Sequence, residues 1–156
     1  MPPQENNYPQ ELYAEYLLKN FAKKNGYQLD HLSPDLTAPN WQFFLLFTPR
    51  GKVGVSTHET EMLLRTDSFA EIEYSPKVYL QILTLCLKFN RENRYLKLDY
   101  SVSPKPTILI FLRVELLNPT EDWLTRTLVG LWLSIVEVRN ELKKIKEQSP
   151  QPYQNM

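Results

Sequence analysis

Apolar residues recur at helical spacing in some stretches of this chain and at strand spacing in others. Leu12, Tyr16, Leu17, Phe21 and Ala22 share one helical face, and Glu15 precedes Lys19 by one helical step. Gly26 suits the left-handed cap position, so a helix is predicted over 10–25. A polar stretch with Pro34 and Pro39 then reads as a loop. From Trp41 the period changes: Trp41–Thr48 is short, aromatic and bounded by prolines, which predicts a largely buried strand. Pro49-Arg50-Gly51 makes a turn into a second strand, Val53–Thr57. Glu61–Ile72 reads as a weaker third strand, bent near Asp67-Ser68. The connections are too short for parallel crossovers, so the strands form an antiparallel meander.

Ser75-Pro76 is a strong helix start, with serine at the cap and proline at the first helical position. The apolar stripe from Val78 to Phe89 is wide, so this helix is mostly buried. After a turn at Asn90–Asn93, Tyr95–Tyr100 and Thr107–Leu117 read as a strand pair. Asn118-Pro119 stops the second strand. Thr120, Glu121 and Asp122 then open a last helix, whose lysines Lys143, Lys144 and Lys146 suit its negative end. The predicted order is helix, three strands, helix, two strands, helix. That is an α+β protein with an antiparallel sheet of about five strands and a long amphipathic C-terminal helix. The pattern assigns 10–147 to a single domain and 1–9 and 148–156 to disordered tails.

The last helix is the most informative segment. Leu124, Leu128, Leu131, Ile135, Val138, Leu142 and Ile145 alternate in steps of four and three, a heptad-like seam. Beside it lies a second stripe, Val129, Trp132 and Val136, with Leu133 between. Two readings stand. Either both stripes are core, with the helix in a groove, or one is a surface for a second copy or a client. Beyond Arg139 the flanks of the seam turn charged, so that part is expected to project past the sheet edge. Candidate interaction residues are Trp123, Val129, Trp132, Val136, Leu142 and Ile145.

Composition narrows the chemistry. Among 156 residues, Lys+Arg and Asp+Glu balance at 18 each, so no net field favours nucleic acid or an anionic membrane. The lone Cys86 excludes an internal disulfide and fits a reducing compartment. Met1–Gln10 is polar and proline-rich, unlike a signal peptide, and no apolar run reaches the ~20 residues that span a bilayer. A soluble, cytoplasmic protein is the expectation. His31 and His58 sit in no ligand-spaced motif, Cys86 lies within an apolar helical face, and the 4 glycines build no phosphate-cradling loop. Glu59 with Glu61, and Glu71 with Glu73, are carboxylates spaced for acid–base work but read better as solvated strand residues. No catalytic constellation and no metal or cofactor site emerges. Lys88, Arg91, Arg94 and Lys97, near Phe89 and Tyr95, form a basic cluster, either a solvated edge or a weak RNA or phosphate site. Single-stranded RNA needs aromatics displayed on an open sheet, whereas those of Trp41–Thr48 are predicted buried.

The element order resembles the fold shared by type III secretion chaperones and the YbjN family. The resemblance covers Gln10–Glu147: the first helix (Leu12–Ala22), the meander (Trp41–Ile72), and the proline-initiated middle helix ending at Phe89-Asn90. The strand pair (Tyr95–Leu117) and the amphipathic last helix complete it. Members commonly dimerise and bind extended peptide segments, which is what the resemblance implies here. Secretion chaperones tend to be acidic, whereas this chain is neutral and fits an assembly factor as well. The expected function is therefore a non-enzymatic module holding a client polypeptide. The alternatives are a structural subunit contacting a permanent partner through Trp123, Trp132 and Val136, and an enzyme or RNA-binding protein with a concealed site.

Overall fold

The computed structural model describes residues 12–34 and 36–148. In chain order they form α1 (Tyr13–Asn25), β1 (Gln28–His31), β2 (Gln42–Thr48), β3 (Gly51–His58), β4 (Glu61–Thr66) and β5 (Ala70–Glu73). These are followed by α2 (Pro76–Glu92), β6 (Leu96–Val102), β7 (Thr107–Leu117) and α3 (Glu121–Gln148). The protein is α+β with a 7-stranded antiparallel sheet. Two strands exceed the expected count, for different reasons. The third predicted strand breaks at Asp67–Phe69 into β4 and β5, where its bend was expected, and both pieces pair with β7. β1 replaces part of the predicted loop. Its sequence, Gln28-Leu29-Asp30-His31, has no strand periodicity, and pairing with the edge of β2 makes it a strand. The terminal segments expected to be disordered lie mainly outside the described residues.

The chain divides into two compact units, and β7 and α3 run through both. In the first unit, β1, β2, β3, β4 and the second half of β7 are neighbours in that order. One face of these strands is closed by Phe44, Leu46, Val53, Val55, Met62, Leu64, Val114 and Leu116, all buried. Ala14, Leu18 and Phe21 of α1 and Leu124 of α3 are buried with them, so both helices cover this face. Lys24 reaches Glu121 across the two helices at 2.9 Å. Gly26 ends α1 at φ 67°, its N–H reaching Ala22 and Lys23 carbonyls, as the sequence predicts.

In the second unit, β5 and β6 pair with β7. Ser75 accepts a hydrogen bond from the Val78 N–H at 3.1 Å and Pro76 opens α2. The helix runs through the predicted turn to Glu92, and Asn93 caps it by donating its N–H to Phe89. Val78, Ile82, Cys86 and Phe89 form its buried stripe, while Leu80 and Leu87 point to solvent. Leu131, Ile135, Val138 and Leu142 of α3 are buried. The helix is thus still covered at Leu142, where the sequence suggested it would stand clear.

Candidate protein-binding face

An antiparallel sheet covered on one side should alternate apolar inside and polar outside. Strand β3 obeys: Val53, Val55 and Thr57 are buried, and Lys52, Gly54, Ser56 and His58 face out. β2 does not. Phe44 and Leu46 point inward, but Phe43, Leu45 and Phe47 stand half-buried on the outer face. This corrects the expectation that the strand's aromatics are all buried. Leu63 of β4 and Leu117 of β7 break the alternation in the same sense, Leu117 being 58% exposed.

The register places these exceptions side by side. Phe43 pairs with Ser56 and Ser56 with Leu63, which in turn pairs with Glu115. One step along, Leu45 pairs with Gly54 and Gly54 with Arg65, which pairs with Arg113. The outer-face residues in these rows are half-buried, with Arg65 and Glu115 exposed. Gly54 and Ser56 are small and their flanking neighbours are large. Together they form a trough along β3, between a wall of Phe43, Leu45 and Phe47 and a wall of Leu63 and Arg65. With strands ~4.8 Å apart, the walls stand about 10 Å apart, the width an extended polypeptide needs.

Beside the trough, sharing Leu63 with its wall, is a cleft of about 410 Å³ lined by Trp41, Glu61, Met62, Leu63, Glu115, Leu116 and Leu117. Trp41 is half-buried and stacks on His58 with ring centroids 5.1 Å apart. Glu61 pairs in register with Leu117, and Leu63 with Glu115. The two carboxylates therefore sit diagonally across the strands, as do the two leucines. Glu61 makes no ion pair among the described residues, and Glu115 makes a loose one with Arg113 at 3.6 Å.

The residues singled out from the sequence fall elsewhere. The seam of α3 is core: Leu124, Leu128, Leu131, Ile135, Val138 and Leu142 are buried, and Ile145 is half-buried. In the second stripe, Val129 and Val136 are 53% and 58% exposed, with Leu133 between them at 63%. Trp123 and Trp132 are half-buried. Trp123 lies in the first unit, while Val129, Trp132 and Val136 lie in the second. The sequence pattern does not single out Phe43, Leu45, Phe47, Leu63 or Leu117. The signal available for β2 was its run of apolar residues at both parities, which reads equally well as a strand buried on two faces.

The chemical candidates find structural partners. His31 stacks on Phe44 at 4.6 Å and bonds Gln42 at 2.9 Å. It shares the covered face, while His58 lies on the open one, so the histidines do not meet. Burial pushes the Cys86 thiol from 9.0 up to about 11, with a further push from Asp99. Lys97 donates to the Asn90 and Asn93 carbonyls at the end of α2, at 3.2 and 2.9 Å, and Arg94 lies over the Tyr95 ring. Phe89 of the same cluster is buried. Among the described residues no group of His, Cys, Asp or Glu is disposed to hold a metal ion, and no helix is long and apolar enough to cross a membrane. The chain matches no protein-family model, no curated protein and no solved structure.

Proposed function

We propose that this protein is a non-catalytic binding module, a chaperone or assembly factor that holds an extended segment of a client polypeptide on its open sheet face. The observation that carries this reading is the set of apolar residues breaking the alternation on that face: Phe43, Leu45, Phe47, Leu63 and Leu117. Apolar side chains left half-buried or exposed on the outer face of a sheet whose other face is closed fit an interaction site. A flat trough floored by small residues suits a chain in β conformation, whose alternate side chains enter it. Extended-segment binding is also what the secretion-chaperone resemblance implies.

The test is binding of a polypeptide that cannot fold, such as a reduced and alkylated one, to the full-length chain. The wild type should bind it and keep it in ~0.5 M salt, because an apolar contact is little screened. Leu45→Asp puts a charge in the trough wall outside the core. It should weaken binding at least about tenfold while the melting temperature moves by only a few degrees. Unaltered binding by Leu45→Asp, or none by the wild type, rejects the reading.

A second reading, a subunit of a permanent complex, is favoured by the exposed aliphatic stripe Val129, Leu133 and Val136. A Leu133→Lys variant that loses a co-purifying partner, with open-face variants keeping it, would establish that reading instead.

A further inference from the structure

Gly54 occupies the middle of a strand, where glycine weakens the ladder and commonly marks a bulge or a close approach. Neither local cause applies here. Pairing on both sides runs through Gly54 without a break, so there is no bulge. Its φ is not positive, unlike those of Gly26 and Gly51. A Cβ built on it would meet the Arg65 carbonyl oxygen at 3.5 Å, an ordinary contact. The fold has no need of a glycine there, and what the missing side chain leaves is the floor of the trough.

The cleft beside the trough adds a charge requirement. Its apolar part is made by Trp41, Leu63 and Leu117, and its charged part by Glu61 and Glu115. Diagonal positions on neighbouring strands lie about 7–8 Å apart, so one group between the carboxylates reaches both. Trp41, stacked on His58 through one face, shares the cleft with the carboxylates, a combination that suits a cation carried on an apolar stem. Of the cations on this face, Arg113 is engaged with Glu115 and Lys52 with Asp67 at 3.3 Å, while Arg65 stands in register with Arg113. Arg113 holds Glu115 from 3.6 Å on an exposed surface, and a closer cation would displace it.

Resting on the protein-binding reading, we infer that the client segment is basic as well as apolar. It lies extended in the trough over Gly54 and Ser56 and seats one lysine or arginine between Glu61 and Glu115 against Trp41. Side chains of an extended chain alternate faces, so the seated cation and the apolar residues must share parity. The segment recognised therefore reads apolar–any–apolar–any–basic.

The experiment uses the full-length chain and fluorescent peptides of pattern Ser-Val-Ser-Val-Ser-X-Ser-Val-Ser, long enough at ~3.3 Å per residue to span β3. X is lysine, norleucine or glutamate, and binding is read by anisotropy. The lysine peptide should bind about tenfold more tightly than the norleucine peptide, and the glutamate peptide about tenfold more weakly. Glu61→Gln, at an exposed position, should remove most of the lysine peptide's advantage over the norleucine peptide. Gly54→Val should weaken all three while the protein remains folded. Equal binding of lysine and norleucine peptides would overturn the basic-segment inference and leave the protein-binding reading standing. Binding of no peptide at all would overturn both. Tighter binding of an oligouridine probe than of the lysine peptide would also overturn both and make the face a nucleic-acid surface.

Discussion

Gly54 and Thr57 stand on opposite faces of one strand, and each departs from what stability alone would select. Valine at 54 would raise strand propensity, on a scale spanning about 1 kcal/mol, and its Cβ has room. Gly54→Val should therefore hold or raise the urea midpoint while weakening client binding. A variant that instead unfolds would return the glycine to the fold. Thr57 is 2% exposed, and its hydroxyl finds no hydrogen-bond partner among the described residues. Thr57→Val keeps the shape and removes the unsatisfied group, so it should gain about 1 kcal/mol in chemical denaturation. Cys86 gives a pH prediction. Its folded pKa is raised, so the stability it contributes is complete below the unfolded value of 9.0 and is lost as pH rises through about 11. Native protein at neutral pH should resist a bulky thiol reagent, and labelling should appear only on unfolding. Rapid native labelling would contradict the buried assignment.

At the scale of elements, what was legible in the sequence is what local chemistry determines. The Gly26 cap, the Ser75-Pro76 start and the bend between β4 and β5 are set by single residues with strong conformational demands. β1 was not legible, because a short polar segment becomes a strand through pairing with β2 and not through its own pattern. Helix α3 was legible in half. Its steps of four and three mark the stripe that is buried, but periodicity does not say which side of a second stripe water takes. The structure separates them, and a paired substitution measures the separation. Leu131 is fully buried and Leu133 is 63% exposed. Leu131→Ala should cost about 2–5 kcal/mol. Leu133→Ala should stay within about 0.5 kcal/mol. Similar losses at both positions in thermal melts would show that the second stripe is packed as well.

For the molecule as a whole, the α+β class and the helix–strand order follow from the pattern, and the candidate site does not. Phe43, Leu45 and Phe47 lie in a run whose two faces are equally apolar, so the sequence reads as a doubly covered strand. The structure leaves all three half-buried on the outer face, beside Ser56 and Gly54 of β3. Glu61 and Glu115 are far apart in sequence and become neighbours through the pairing of β4 with β7. That pairing joins β4 to a strand beyond α2, a long-range contact that no local spacing announces.

The central claim is that a client lies on the open sheet face and not on the exposed stripe of α3. Backbone-amide NMR of the full-length chain, titrated with the lysine peptide, locates the contact most directly. Shift changes are expected to concentrate at Leu45, Gly54, Ser56, Leu63 and Glu115, with the Trp41 indole N–H moving as well. Changes confined to Val129, Leu133 and Val136, with those strand amides unmoved, would contradict the claim.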